Sequence, residues 1–185
     1  MSLLSFDRKS LDPQHWLQFD SKNQEFYGIP KFGDHGQKEY LLVAEDRDGL
    51  QATDAMVVVV SHPNNREYNN LFELTLGMSY EDFNNSAVQR RFVERIAKFF
   101  GDATPANIQI RAIRKNHTTG KTTVSYYNTT LHRPHHICPN EKIEYLKKML
   151  LQPDGNIRHH VKDAIGNEFD LHRINLVPLG ACLRE

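Results

Sequence analysis

The spacing of apolar residues changes character about a third of the way along the chain, near "SHPNNREYNN" (61–70). Before that segment the apolar positions alternate with polar ones, as in "HWLQFD" (15–20), which is the period of a half-buried strand. "YGIPKFGDHG" is rich in turn formers. "KEYLLVAEDRDGLQATDAMVVVV" (38–60) reads as two strands joined by a turn at Asp48-Gly49. No helical period occurs in this part, so it predicts a piece of an all-β sandwich. Pro63 and the asparagines around it mark a linker, which divides the chain into domains at 1–62 and 67–185.

Beyond the linker the pattern is mixed. Residues 71–78 read as a strand, and Ser79 with Asp82 reads as a helix-opening capping box. Val88, Phe92, Ile96 and Phe100 recur every fourth residue between charged positions, which predicts an amphipathic helix ending near Gly101. "NIQIRAIRK" and "TTVSYYNTTL" read as a hairpin around "NHTTGK". Ile143, Leu146 and Leu150 form the stripe of a second helix over about 140–151, and "FDLHRINLVPLGAC" is a last strand. The predicted fold class is therefore α+β: a partial β-sandwich, then a β-α-β-β-α-β unit in the ferredoxin-like arrangement.

Composition removes several function classes. The 185 residues carry 23 basic and 23 acidic side chains, so no global field favours nucleic acid or anionic lipid. No apolar run is long enough to span a bilayer, and "MSLLSFDRKSLDPQHW" is too polar for a secretory leader. A nucleophile elbow, a paired-carboxylate motif and a phosphate-cradling glycine loop are all missing, so the chain is read as no enzyme, with no cofactor. Arg111, Arg114 and Lys115 lie on one strand without the interleaved aromatics of an RNA-binding sheet, so no nucleic-acid partner is expected.

Three Asn-x-Ser/Thr sequons stand at Asn84, Asn116 and Asn128. Chance gives roughly one in a chain of this length, so the count points to an extracellular face. Cys138 precedes the second predicted helix and Cys182 follows the last strand. A bond between them would close a loop of about 45 residues, worth on the order of 4 kcal/mol in the chain-entropy model. Two unrelated free thiols are the alternative.

In their order, these segments resemble the dystroglycan family. Trp16-Leu17-x-Phe19, Tyr27-Gly28-x-Pro30 and Ala44-x-Asp46-x-x-Gly49-Leu50 are similar to its cadherin-like (immunoglobulin-like) domain. "FFGD", the sequons either side of the glycine turn, "CPNEKIEYL" and the closing cysteine resemble its SEA-like domain. The resemblance implies the ectodomain of a single-pass adhesion receptor on the plasma membrane, within the dystrophin–glycoprotein complex. Its partners would be the remainder of the receptor, extracellular matrix such as laminin through glycans outside this chain, and dystrophin through an absent cytoplasmic tail. It also implies that the first strands of the cadherin-like domain are lacking, since too few residues precede Trp16. That leaves exposed edges and an apolar face.

In that family the SEA-like fold can cut its own backbone at a Gly-Ser step, where the serine hydroxyl attacks the preceding carbonyl and water opens the ester. The matching step here is Gly120-Lys121. Lysine has no hydroxyl at Cβ, so the chain is expected to stay intact. Cadherin-like folds bind calcium, which makes Glu45, Asp46 and Asp48 weak candidates, although a charged hairpin turn explains them as well. His132, His135, His136, Cys138, His159 and His160 lack zinc-site spacing and are read as surface histidines. The competing functional reading is a ferredoxin-like cytosolic enzyme or small-ligand-binding domain without glycosylation.

Overall fold

The computed structural model describes residues 1–61, 68–131 and 136–183. They form two compact units, one of residues 1–64 with 84–90 and one of residues 65–83 with 91–185. The first unit contains β1 (Ser2–Ser5), β2 (Gln18–Asp20), β3 (Glu25–Tyr27), β4 (Gly36–Glu45) and β5 (Gln51–Val60). An antiparallel sheet runs in the order β1-β4-β5, and β2 pairs with β3 as a separate hairpin.

The predicted strands over 38–60 are β4 and β5, turned where Gly49 adopts φ +83 and Asp46 donates its N–H to Leu50 O at 3.0 Å. Leu3, Leu17 and Tyr40 form the buried centre, with Trp16, Leu42, Met56 and Val58 packed on it. Tyr40 with Leu42 on β4, and Met56 with Val58 on β5, are the alternate positions that a strand period brings to one face. Ahead of Trp16 the chain forms one strand, β1, which pairs residue for residue with β4 from Ser2–Val43 to Ser5–Tyr40.

In the second unit β6 (Asn70–Ser79), β7 (Ile108–Lys115), β8 (Lys121–Asn128) and β9 (Leu171–Pro178) form one antiparallel sheet in the order β7-β8-β6-β9. That is the ferredoxin-like order, with the first strand at the centre and the last beside it. The helices are α1 (Tyr80–Phe83), α2 (Ser86–Phe99), α3 (Asn140–Leu150) and α4 (His159–Ile165). Ile96 of α2, Leu150 of α3 and Val161 of α4 meet Leu74, Tyr126 and Ile174 of the sheet around one small apolar void. The helices therefore share one face of the sheet.

Phe83, Phe92 and Phe169 are almost wholly buried, with ring centroids 5.0 to 6.3 Å apart in edge-on contacts. Such geometry adds to what their burial contributes.

The capping box differs from expectation. Ser79 Oγ accepts the Asp82 N–H at 3.1 Å and donates to Asp82 Oδ2 at 2.7 Å, but the turn it opens is the four-residue α1. Helix α2 starts afresh, with Asn85 Oδ1 accepting the N–H groups of Ala87 (2.9 Å) and Val88 (3.3 Å). It ends at Gly101, φ +80, as the Asp102 N–H returns to Ala97 O at 2.9 Å. Helix α4 has no counterpart in the apolar pattern, because only Val161 and Ile165 of its seven residues are buried.

Candidate functional site

The β7–β8 hairpin carries the chemistry singled out in the sequence. β8 is a central strand, hydrogen-bonded to β7 on one side and β6 on the other, so its first residue, Lys121, is firmly placed. The tip is a closed turn. Asn116 N–H donates to Lys121 O at 2.8 Å, and Gly120 N–H returns to Asn116 O at 2.7 Å. Asn116 Oδ1 accepts the N–H groups of Thr118 (2.9 Å) and Thr119 (3.1 Å). Gly120 takes φ +70, which a residue with a Cβ adopts at a cost. Asparagine and glycine are thus required here by turn geometry, whatever else they do.

The Gly120-Lys121 peptide is held at its carbonyl and at its N–H. Gly120 O accepts the Tyr80 N–H at 3.0 Å, and Lys121 N–H reaches Thr119 Oγ1 at 3.4 Å. The Lys121 ammonium contacts His172 Nδ1 at 3.4 Å, and His172 Nε2 lies 2.7 Å from Asp170 Oδ2. A lysine ammonium can only donate, so in this contact His172 accepts at Nδ1 and donates from Nε2 to Asp170. The Lys121 side chain is engaged with His172, and it bears no hydroxyl. Residue spacing gave no signal for this Lys121–His172–Asp170 chain, since 49 positions separate its ends.

The sequons differ in environment. Asn116 is exposed at the hairpin tip. Asn84 is half-buried and accepts from the Lys31 ammonium. Ser86, the third residue of its sequon, is buried and donates to the carbonyls of His15 (3.0 Å) and Trp16 (2.9 Å). Asn128 is only 5% exposed, with Oδ1 accepting the Thr130 N–H (3.0 Å) and hydroxyl (2.6 Å). The hairpin therefore presents one sequon to solvent, at Asn116, and turns the other inward; the strand period that put Asn128 on the core face decides this.

Cys138 and Cys182 form a disulfide, with Cα atoms 4.8 Å apart. Asn69 backs the same corner: its Nδ2 donates to Ile137 O at 3.2 Å and its Oδ1 accepts the Ala181 N–H at 3.1 Å. It therefore bridges the neighbours of both cysteines. Sequence reasoning missed Asn69, which reads as part of the linker.

The acidic turn does not gather its carboxylates. Asp46 Oδ1 accepts the N–H groups of Asp48 (2.9 Å) and Leu50 (2.8 Å), while Glu45 accepts from the Gln51 amide at 2.8 Å. Among the described residues no three His, Cys, Asp or Glu side chains converge as a metal site would require. His132 and His135 lie outside the described residues; His136 is exposed and His160 stacks on Phe99. Glu168 bonds to Arg91 (3.1 Å) and Arg95 (2.9 Å), and the Arg91 hydrogen bond above all holds its carboxyl below the usual range.

Two family models match the chain. The alpha-dystroglycan third Ig-like domain matches residues 1–61, and dystroglycan domain 4 matches residues 70–184.

Proposed function

The chain belongs to the dystroglycan family, and on that premise we propose that it is the extracellular, membrane-proximal part of a dystroglycan-like adhesion receptor. It comprises a cadherin-like module over 1–62 and a SEA-like module over 67–185. The receptor joins extracellular matrix to the dystrophin-bound cytoskeleton through segments outside this chain. The observation that carries this reading is the succession of the two matched domains in one chain, the second ending on the Cys138–Cys182 bond. A disulfide suits an oxidising, extracellular setting. The dystroglycan domains come from a non-enzymatic adhesion family, so no catalytic step is assigned to the chain. Among the described residues no helix is long and apolar enough to cross a membrane.

The chain passes through Gly120-Lys121 uncut. A self-cleaving turn needs a hydroxyl one carbon from the Cα that follows the attacked carbonyl, and Lys121 has none. Tension along the receptor then runs through the covalent hairpin rather than through β7–β8 pairing alone. Asn116, the sequon asparagine exposed to solvent, carries an N-glycan that shields the turn, whereas Asn128 and Asn84 are sequons that the folded domain encloses.

One preparation tests both parts. The chain secreted from animal cells is treated with peptide-N-glycosidase and run on a reducing gel. A mass drop and one intact polypeptide are expected. Two fragments meeting near Gly120 would overturn the uncut hairpin, and an unchanged mass would overturn the extracellular assignment.

A further inference from the structure

Two Asp-Gly steps lie in turns of this chain, Asp48-Gly49 between β4 and β5 and Asp154-Gly155 between α3 and α4. Such a step is chemically weak. The glycine nitrogen can close a five-membered ring on the aspartate side-chain carbon, and glycine has no Cβ to obstruct the approach. The two steps share much of their setting. All four residues are exposed, and Gly49 (φ +83) and Gly155 (φ +86) are both left-handed with open space where a Cβ would stand. They differ in what holds the reacting groups.

At Asp154 both partners are held. Its Oδ1 accepts the Asn156 N–H at 3.0 Å, and its Oδ2 accepts the Asn156 side-chain amide at 2.8 Å. The Gly155 N–H donates to Gln152 O at 2.9 Å. The Asn156 hydrogen bonds, that of the backbone first, also lower the Asp154 pKa, which favours the ionised and less electrophilic carboxylate. At Asp48 the neighbouring Asp46 organises the turn, its Oδ1 accepting the N–H groups of Asp48 and Leu50. The Asp48 carboxylate itself makes no hydrogen bond or ion pair among the described residues. The Gly49 N–H has one long bond, to Asp46 O at 3.3 Å.

We propose that Asp48 is a site of spontaneous backbone modification, isomerising to isoaspartate through a cyclic imide, and that Asn156 shields Asp154 from the same reaction. The Gly49 nitrogen attacks Asp48 Cγ, so that a C–N bond forms and a C–O bond breaks. The nitrogen's proton and the hydroxyl of the protonated carboxyl leave together as one water. A second water opens the imide. Attack at Cγ restores aspartate, whereas attack at the backbone carbonyl carbon leaves the chain running through Cγ and frees the α-carboxylate. No co-reactant other than water is needed. The product keeps its mass, and the β4–β5 turn gains one methylene in the main chain.

The full secreted chain, held folded for weeks at neutral pH and body temperature, provides the test. It is digested, and the peptides are treated with an isoaspartyl methyltransferase and a labelled methyl donor. Label in the Asp48 peptide several-fold above that in the Asp154 peptide is expected. A parallel sample kept unfolded in guanidinium chloride lacks the Asn156 hydrogen bonds and should label both peptides. Asp48→Glu, which can close only a larger and slower ring, should lose the first label while keeping the wild-type circular dichroism. An unlabelled Asp48 peptide from the folded chain would overturn the site. Equal label in the two peptides of the folded chain, or an excess at Asp154, would overturn the part assigned to the hydrogen bonds. An Asp154 peptide that stays unlabelled after unfolding would overturn that part as well, since the fold would not be what spares it.

Discussion

Removing the Cys138–Cys182 bond tests how the second unit is held closed. The bond encloses α3, α4 and β9, with a sequence separation of 44. Taking n as about 45, the loop-closure relation gives roughly 13 cal/mol/K, or about 4 kcal/mol at 25 °C, removed from the unfolded ensemble. The native corner does not depend on the bond alone, because the buried Asn69 amide ties Ile137 to Ala181. Substituting both cysteines with serine should therefore leave the sheet in place and act mainly through the unfolded state. For a chain of this size about 4 kcal/mol corresponds to a fall in Tm of roughly 8–16 °C. Calorimetry and urea titration measure it, and reductant should bring the wild-type chain to the same midpoint. A fall of under about 3 °C would mean that the unfolded chain keeps these elements together without the bond. Loss of the native circular dichroism would mean that Asn69 does not hold the corner.

Three further outcomes follow from particular contacts. Gly28→Ala should destabilise the first unit by about 3 kcal/mol or more, since an added Cβ would stand 1.7 Å from the Trp16 carbonyl oxygen at φ +149; a urea midpoint followed by Trp16 fluorescence measures this. Phe92→Ala removes a fully buried ring from between Phe83 and Phe169, so calorimetry should show a loss of about 3–5 kcal/mol. The third outcome concerns pH. Burial, then the nearby Lys38 charge, lowers the His15 pKa against the smaller pulls of Asp34 and Asp12, while its Nε2 lies 2.9 Å from Tyr40 Oη. The neutral ring is thus the form the fold favours. Its contribution is complete above the unfolded pKa of about 6.5 and declines as pH falls through that value toward the folded one. Urea midpoints between neutral and mildly acidic pH should fall more steeply for wild type than for His15→Gln, and parallel slopes would refute the assignment.

Periodicity alone determined the strands β4 to β9, the helices α2 and α3, and the βαββαβ order, because each long element repeats its apolar residues at its own period. Chain order placed Cys138 and Cys182 at either end of the last helix–strand unit. Local spacing also made Asn116 and Gly120 turn residues, as the hydrogen bonds of the tip bear out. What no pattern conveyed depends on contacts between distant segments. β1 is too short to show a period, and it exists because Leu3 joins Tyr40 and Leu17 in one core. Ser79 caps a single turn, since the amides of α2 are taken by Asn85. Asn128 carries a surface motif yet faces inward, because β8 is central and its alternate residues fill the core. The turn at Gly120-Lys121 was legible as chemistry that lysine cannot perform. Only the tertiary structure directed that lysine toward His172 and Asp170, since a strand fixes which face a side chain takes while the fold decides what waits there.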